Sequence, residues 1–183
     1  MKKLILFSIF AFLTSQMSAQ YKKIYSYGDY KENWALVKTD SGNYGFIDQN
    51  NKQIVSPIYS KIEKFGKIHP DFAVVKSVTG LYGLIDKSGN LVTPAEYDKI
   101  EVFGNIHPNL AVVKSIAGLY GFIDNKGKEI ARPLYLKIGK FDEITKDLAL
   151  VENYTHGFGM IDTNGKEVLP TTYTLNEIKA KYQ

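Results

Sequence analysis

One motif returns along this chain at a fixed interval of 38 residues. Its four copies read Tyr44-Gly45-Phe46-Ile47-Asp48, Tyr82-Gly83-Leu84-Ile85-Asp86, Tyr120-Gly121-Phe122-Ile123-Asp124 and Phe158-Gly159-Met160-Ile161-Asp162. A second motif keeps the same interval, at residues 34–38, 72–76, 110–114 and 148–152. Each copy is therefore one small structural unit. Because so short a unit cannot bury its apolar face alone, neighbouring copies must cover one another.

The spacing within one copy is typical of strands. In residues 59–96, short runs of β-branched and aromatic residues are separated by glycine, proline, asparagine and aspartate. Thr79-Gly80 has the composition of a hairpin tip, and residues 86–89 that of a second tight turn. We predict an all-β fold of antiparallel meanders, with copies at residues 21–58, 59–96, 97–134 and 135–172 and a partial fifth at 173–183.

The two ends of the chain favour an open curved array over the alternative, a small closed β-propeller. A propeller commonly closes when the N-terminal segment supplies a strand that the last blade lacks. Here residues 21–28 and 173–178 correspond to the same part of the unit, so they duplicate each other. Thr174 and Glu177 also form a capping-box pattern, which predicts a short C-terminal helix covering the last sheet edge.

Residues 1–19 have the three regions of a secretory signal peptide. Lys2 and Lys3 precede an apolar run over residues 4–13, and a small polar segment leads to Ala19. An apolar helix of that length rises about 15 Å, roughly half the hydrocarbon thickness of a bilayer. We predict cleavage after Ala19, export to the periplasm or the extracellular space, and a single mature domain over residues 20–183 with no membrane span.

Composition excludes several classes of function. The hydrophobic fraction of 44% and the aromatic fraction of 13% are too high for a disordered chain. The chain has no cysteine, so disulfides, thiolate metal ligands, a cysteine nucleophile and a lipoprotein anchor are all excluded. There are 23 Lys+Arg against 19 Asp+Glu, and two of the lysines lie in the leader. So small a surplus predicts no nucleic-acid partner.

The repeat unit resembles that of the WG-containing repeat proteins of bacteria. Copy three shows the pattern best, as Tyr120-Gly121-Phe122-Ile123-Asp124, Gly127-Lys128, Pro133 and Tyr135. Tyrosine or phenylalanine replaces the family's tryptophan before the glycine, and the only tryptophan is Trp34. The resemblance implies a secreted or surface-associated β-repeat protein, and it implies architecture rather than a particular chemistry.

Two ladders of aromatic side chains are candidates for ligand contact. The rings that precede glycine, at residues 44, 82, 120 and 158, favour core packing, because glycine lets a neighbouring strand approach closely. The second ladder is predicted to be exposed and ligand-facing, and it consists of Tyr59, Tyr97, Tyr135 and Tyr173. A row of Lys38, Lys76 and Lys114 is interrupted by Glu152 in copy four, so we interpret it as a solvated face.

The repeated aspartates and the histidines have structural interpretations. Side-chain bonds to the turn backbone account for the aspartates at 48, 86, 124 and 162 better than calcium does, because the chain lacks the remaining ligands of a calcium loop. His69 and His107 recur before proline and supply too few ligands for a metal, while His156 lies at a hairpin tip. We therefore predict neither a metal nor a cofactor.

These patterns predict an exported, non-enzymatic binding or structural module of the cell envelope, with an envelope protein or glycan as partner. Catalysis needs dissimilar groups that converge, whereas the prominent polar residues here are mostly copies of one another, so we assign no catalytic residue. The alternative is an exported hydrolase or metal-dependent enzyme whose site lies in the non-repeating loops.

Overall fold

The structure is a computed structural model that describes residues 21–182, and the predicted leader lies outside them. The strands are β1 (Lys23–Ile24), β2 (Trp34–Lys38), β3 (Tyr44–Asp48), β4 (Gln53–Ile62), β5 (Phe72–Ser77), β6 (Tyr82–Asp86), β7 (Leu91–Tyr97), β8 (Lys99–Ile100), β9 (Leu110–Lys114), β10 (Tyr120–Asp124), β11 (Glu129–Tyr135), β12 (Lys137–Phe141), β13 (Leu148–Glu152), β14 (Phe158–Asp162) and β15 (Glu167–Tyr173). Helix α1 (Leu175–Tyr182) follows them. The predicted all-β fold with a short C-terminal helix is confirmed.

Every sheet is an antiparallel meander in chain order. Strands β1 to β7 form one continuous sheet, β8 to β11 a second and β12 to β15 a third. A four-stranded unit therefore recurs along the chain. We number the units one to four, with unit one ending and unit two beginning within β4.

The third strand of each unit begins with an aromatic residue followed by glycine. This glycine explains how closely the third and fourth strands of a unit come together. A Cβ atom on Gly45 would overlap the backbone oxygen of Val55, and one on Gly83 would overlap that of Thr93. The same holds for Gly121 and Gly159 in the later units. The pairing of these strands shifts register at this point, as at a β-bulge. The predicted close approach of a neighbouring strand is confirmed.

The units are joined by bent strands instead of loops. In β4, Tyr59 pairs with Tyr44 on one side and with Ser77 of the next unit on the other. At the two later corners, a single residue interrupts the strand. At the corner between units two and three this residue is Asp98, whose amide donates to the Lys114 carbonyl at 2.8 Å. Hydrogen bonding therefore continues from each unit into the next.

Apolar faces of successive units form the core. Trp34 and Phe46 of unit one belong to the same buried cluster as Val75 and Ile85 of unit two. The equivalent positions join units two and three, and units three and four. Among the clusters of residues 21–182, each spans only neighbouring units, or one unit and a chain end. The open array is therefore confirmed over the closed propeller.

Helix α1 covers the outer face of unit four. Ile178 is fully buried against Met160 and Leu169. The capping box forms as predicted, since the Thr174 amide donates to Glu177 Oε2 at 2.8 Å and the Glu177 amide donates to Thr174 Oγ1 at 3.3 Å. No helix within the described part of the chain is long and apolar enough to cross a membrane.

Candidate functional site

The repeated aspartates hold the second turn of each unit. Asp86 Oδ1 accepts hydrogen bonds from the amides of Ser88 and Asn90 at 2.8 and 2.9 Å. The aspartates at 48, 124 and 162 make the same pair of bonds. Burial opposes ionisation of Asp86, but its bonds with Asn90 and the turn amides outweigh burial and lower its pKa below the ordinary range. The predicted turn role is confirmed.

The prediction of an exposed tyrosine ladder is wrong for three of its four members. Tyr59, Tyr97 and Tyr135 are buried, with exposed fractions of 6%, 3% and 6%. They stand at the corners where one unit continues into the next, so the following unit covers each ring. Alternation along a strand could not reveal this, because the covering residues come from the next copy. Tyr173, which has no following unit, is half-buried beside helix α1.

Two of these tyrosines connect consecutive units through their hydroxyl groups. Tyr97 Oη donates to Glu129 Oε2 at 2.7 Å, and Tyr135 Oη donates to Glu167 Oε1 at 3.0 Å. Burial, followed by the adjacent carboxylate, raises the pKa of both tyrosines above the ordinary range. For Tyr59, the residue at the position of this glutamate is Leu91. These bonds give the ladder a structural role.

The rings that precede glycine are half-buried, although we predicted them to lie in the core. The ammonium groups of Lys38, Lys76 and Lys114 lie over these rings, 5.1, 5.0 and 5.6 Å from the centroids in units one to three. In unit four, Glu152 replaces the lysine, and Phe158 lines a cavity together with Tyr120 of unit three.

That cavity is a groove of about 640 Å³ between units three and four, and helix α1 borders it. Its lining includes Tyr120, Leu136, Gly139, Glu152 and Phe158. A groove of about 320 Å³ occupies the corresponding place between units two and three. We call these the large groove and the small groove.

Substitutions within the repeat explain the difference in size and polarity. Gly139 of unit four occupies the position that Glu101 holds in unit three, so a long charged side chain is replaced by a hydrogen atom on the unit-four wall of the large groove. Leu136 likewise occupies the position of Asp98. The large groove consequently has a greater volume and a more apolar lining than the small groove.

Glu152 and His156 form a pair of dissimilar groups beside the large groove. Glu152 is buried, its Oε1 lies 2.7 Å from Nδ1 of His156, and its Oε2 lies 3.5 Å from Nζ of Lys137. The hydrogen bond with His156 is the largest cause that lowers the pKa of Glu152. His156 has a φ of 63°, at a position held by glycine in the other units. Non-glycine residues rarely adopt this backbone conformation.

Sequence reasoning noted each of these residues but missed the pair. The available signal was that copy four alone carries two departures four residues apart, a glutamate in place of Lys114 and a histidine in place of Gly118. Residues at that separation face each other across a tight hairpin end. Departures that occur together in one copy are therefore more informative than either departure alone.

The other two histidines pack against aromatic rings. The His69 ring stacks on Phe72 and also contacts Phe103, with both centroids 4.8 Å away. His107 lies 5.6 Å from Phe141 in an edge-on arrangement. Within residues 21–182 there is no group of three or more histidines and carboxylates that could hold a metal ion.

Comparison with known proteins gives one family. A sequence model described as the WG containing repeat matches residues 44–76, 82–115, 120–153 and 158–174. No curated protein matches the chain. Among solved structures, the chain is similar to the crystal structure of BamB from Moraxella catarrhalis, with 14% identity and a TM-score of 0.31. That alignment covers 79% of this chain but 46% of the other, and so low a TM-score supports no further argument.

Proposed function

The chain belongs to the WG-containing repeat family, and we propose that it is an exported, non-enzymatic binding module of the cell envelope whose large groove receives a segment of a partner protein. The groove supplies the site, and the leader predicted in residues 1–19 supplies the route of export.

The proposal rests on where the large groove lies, because residues at which copy four departs from the repeat line it. Copy four departs from the repeat at Leu136, Gly139 and Glu152, and all three residues line one cavity. A scaffold made of copies needs only the repeated residues to pack its units. Departures that meet at one cavity therefore support a ligand site there.

The lining of the groove favours a peptide side chain over a sugar. Ile106, Val112 and Leu150 give it aliphatic walls, and its charged lining consists of two carboxylates, Glu101 and Glu152, and one ammonium group, Lys137. Pockets of this kind gain affinity from apolar contact and orientation from a few polar groups. A sugar would need many hydrogen-bonding partners. The expected ligand is an extended protein segment with an apolar side chain next to a lysine or arginine.

The Glu152–His156 pair is the feature that most favours the alternative of an exported hydrolase. A catalytic histidine works in a site that excludes water and faces an oriented nucleophile. The His156 side chain is 75% exposed. We assign the pair to positioning the β13–β14 hairpin at the groove, where the imidazole holds the Glu152 carboxylate in place.

The proposal is tested by filling the groove. A Cβ atom on Gly139 would meet its nearest neighbours, Glu143 Oε2 and the Leu150 carbonyl, at 3.5 Å, which is ordinary contact. Gly139→Leu should therefore fold and occlude the groove. Lys140→Leu is the matched control, because Lys140 is the adjacent exposed residue of β12 and does not line the groove.

Peptides selected from a displayed random library on the immobilised protein supply the probe. We expect the enriched sequences to share an apolar residue beside a basic one, to lose about tenfold or more in affinity for Gly139→Leu, and to bind Lys140→Leu normally. If the enriched peptides bound both variants equally well, the groove would not be the site.

A further inference from the structure

Three successive hairpin tips carry an exposed apolar side chain at the same position. Val78, Ile116 and Tyr154 lie at the tips of the β5–β6, β9–β10 and β13–β14 hairpins, with exposed fractions of 67%, 78% and 74%. Unit one has Asp40 at this position. A single exposed apolar residue is ordinary on a protein surface, but a row of three at equivalent positions is a regular feature of one end of the array.

Lysines lie directly beneath these tips. Lys76 and Lys114 come two residues before Val78 and Ile116 along the chain. Across the sheet, they pair with Lys61 and Lys99 of the preceding strand. Like charges directly opposite each other destabilise a sheet. The repeat therefore keeps these cross-strand lysine pairs at a cost to its own stability.

Carboxylates neutralise only part of this charge. Lys61 pairs with Glu63 at 2.9 Å, and Lys99 makes the equivalent pair with its own neighbouring glutamate at 2.8 Å. Among the ion pairs of residues 21–182, none involves Lys76 or Lys114, whose ammonium groups lie over tyrosine rings. A cationic layer thus remains below the apolar tips.

We propose that this tip surface, made of Val78, Ile116, Tyr154, Lys76 and Lys114, docks on an anionic lipid bilayer. Apolar and aromatic side chains at the tips would enter the interface, and the lysines below them would meet the lipid phosphates. The tips of units two and three contain no charged residue, as residues 77–80 and 115–118 show, so no charge opposes their insertion. A soluble polyanion would use the lysines and leave the row of exposed apolar side chains without a role.

The test is co-sedimentation of the exported protein with vesicles that contain phosphatidylglycerol, compared with vesicles of phosphatidylcholine alone. We expect binding to the anionic vesicles that weakens with salt. The double variant Val78→Ser/Ile116→Ser should bind about tenfold more weakly. Lys76→Gln/Lys114→Gln should lose about 20-fold.

Matched controls come from the opposite end of the units. Lys126→Gln/Lys166→Gln removes two exposed lysines next to the aspartate turns and should change binding less than about twofold. Gly139→Leu should leave vesicle binding unchanged, which separates this surface from the large groove. Circular dichroism verifies that each variant is folded.

Three results would overturn the proposal. The first is a failure to bind anionic vesicles at low salt. The second is an equal loss in the Lys126→Gln/Lys166→Gln control. The third is vesicle binding that survives the serine changes but not the glutamine changes, because that would show attraction of the lysines to negative charge without insertion of the apolar tips.

Discussion

Single tyrosine hydroxyl groups connect consecutive units. Tyr97 and Tyr135 lie at corners between units and donate to Glu129 and Glu167 of the unit that follows. Tyr59 occupies the equivalent corner between units one and two, where Leu91 stands at the position of the glutamate. The three tyrosines therefore form a natural comparison between a buried ring with an acceptor and a buried ring without one.

Tyr97→Phe should lower the free energy of unfolding by about 1 kcal/mol, because it removes a hydrogen bond to a charged acceptor and leaves the ring in place. Tyr59→Phe is the control and should change this free energy by less than about 0.5 kcal/mol. Chemical denaturation of both variants measures the difference. Equal effects would show that the Glu129 bond contributes nothing.

The raised pKa values of Tyr97 and Tyr135 predict a stability loss in alkali. The folded pKa of each lies above the unfolded value near 10, so the unfolded chain releases its proton first as the pH rises. The stabilisation that each tyrosine contributes to the folded state is complete below about pH 10 and falls above it. Urea unfolding at pH 9 and pH 11 should show a smaller decrease in Tyr97→Phe than in the parent. The same decrease in both proteins would contradict this origin.

His156→Gly tests a residue of copy four that has a positive φ. Glycine relieves the positive φ, but it removes the partner that most lowers the pKa of Glu152. A carboxyl group whose pKa is lower in the folded state stabilises the fold at pH values above its unfolded pKa. This stabilisation is lost as the pH falls through the folded pKa, so the stability of the variant should depend less on pH in acid. Thermal unfolding between pH 3 and pH 7 measures this, and an unchanged acid profile would refute the role of the pair.

At the scale of elements, the ends of the array need protection that the interior units give one another. Fourth strands of the units carry proline at Pro57, Pro94, Pro133 and Pro170, in the part of each strand that pairs with the third strand alone and so has a free edge on the other side. The outer face of unit four is covered by α1, mainly through Ile178. The helix thus replaces a missing fifth unit.

Ile178→Ala should destabilise the protein by about 2–4 kcal/mol, because it opens a cavity between α1 and unit four. The matched control is Lys179→Ala, a truncation on the exposed side of the same helix. Hydrogen exchange should show the loss of protection concentrated in β14 and β15. Uniform loss across all units would mean that α1 does not act as a local cap.

Much of this architecture could be predicted from periodicity and turn chemistry. The aspartate turns, the close approach at the glycines and the capping box at Thr174 each depend on residues near one another in sequence. Burial of Tyr59 and its equivalents depends on the neighbouring copy, and the large groove depends on the glycine at position 139, where the preceding unit has Glu101. Those features require the relative placement of units, which local patterns do not contain.

Export is a prediction that concerns the whole molecule. The leader predicted in residues 1–19 should be removed when the gene is expressed in a Gram-negative host. Intact mass of the protein outside the cytoplasm should correspond to a chain beginning at Gln20. A soluble cytoplasmic product that retains Met1 would contradict export.

The whole molecule is a linear array in which each unit contacts its neighbours, so its stability is a sum of unit and interface contributions. Removing one unit should preserve the remaining interfaces. Deletion of residues 59–96 would place the Trp34 and Phe46 face of unit one against Val113 and Ile123 of unit three, which replace Val75 and Ile85.

The most direct test of the linear array is the unfolding of that deletion variant. We predict a monomeric, folded protein with a β-rich circular dichroism spectrum, a cooperative transition and a lower free energy of unfolding, because one unit and one interface are lost. An aggregated or unfolded product from a stable parent would contradict the account, since it would show that the units are parts of one closed structure.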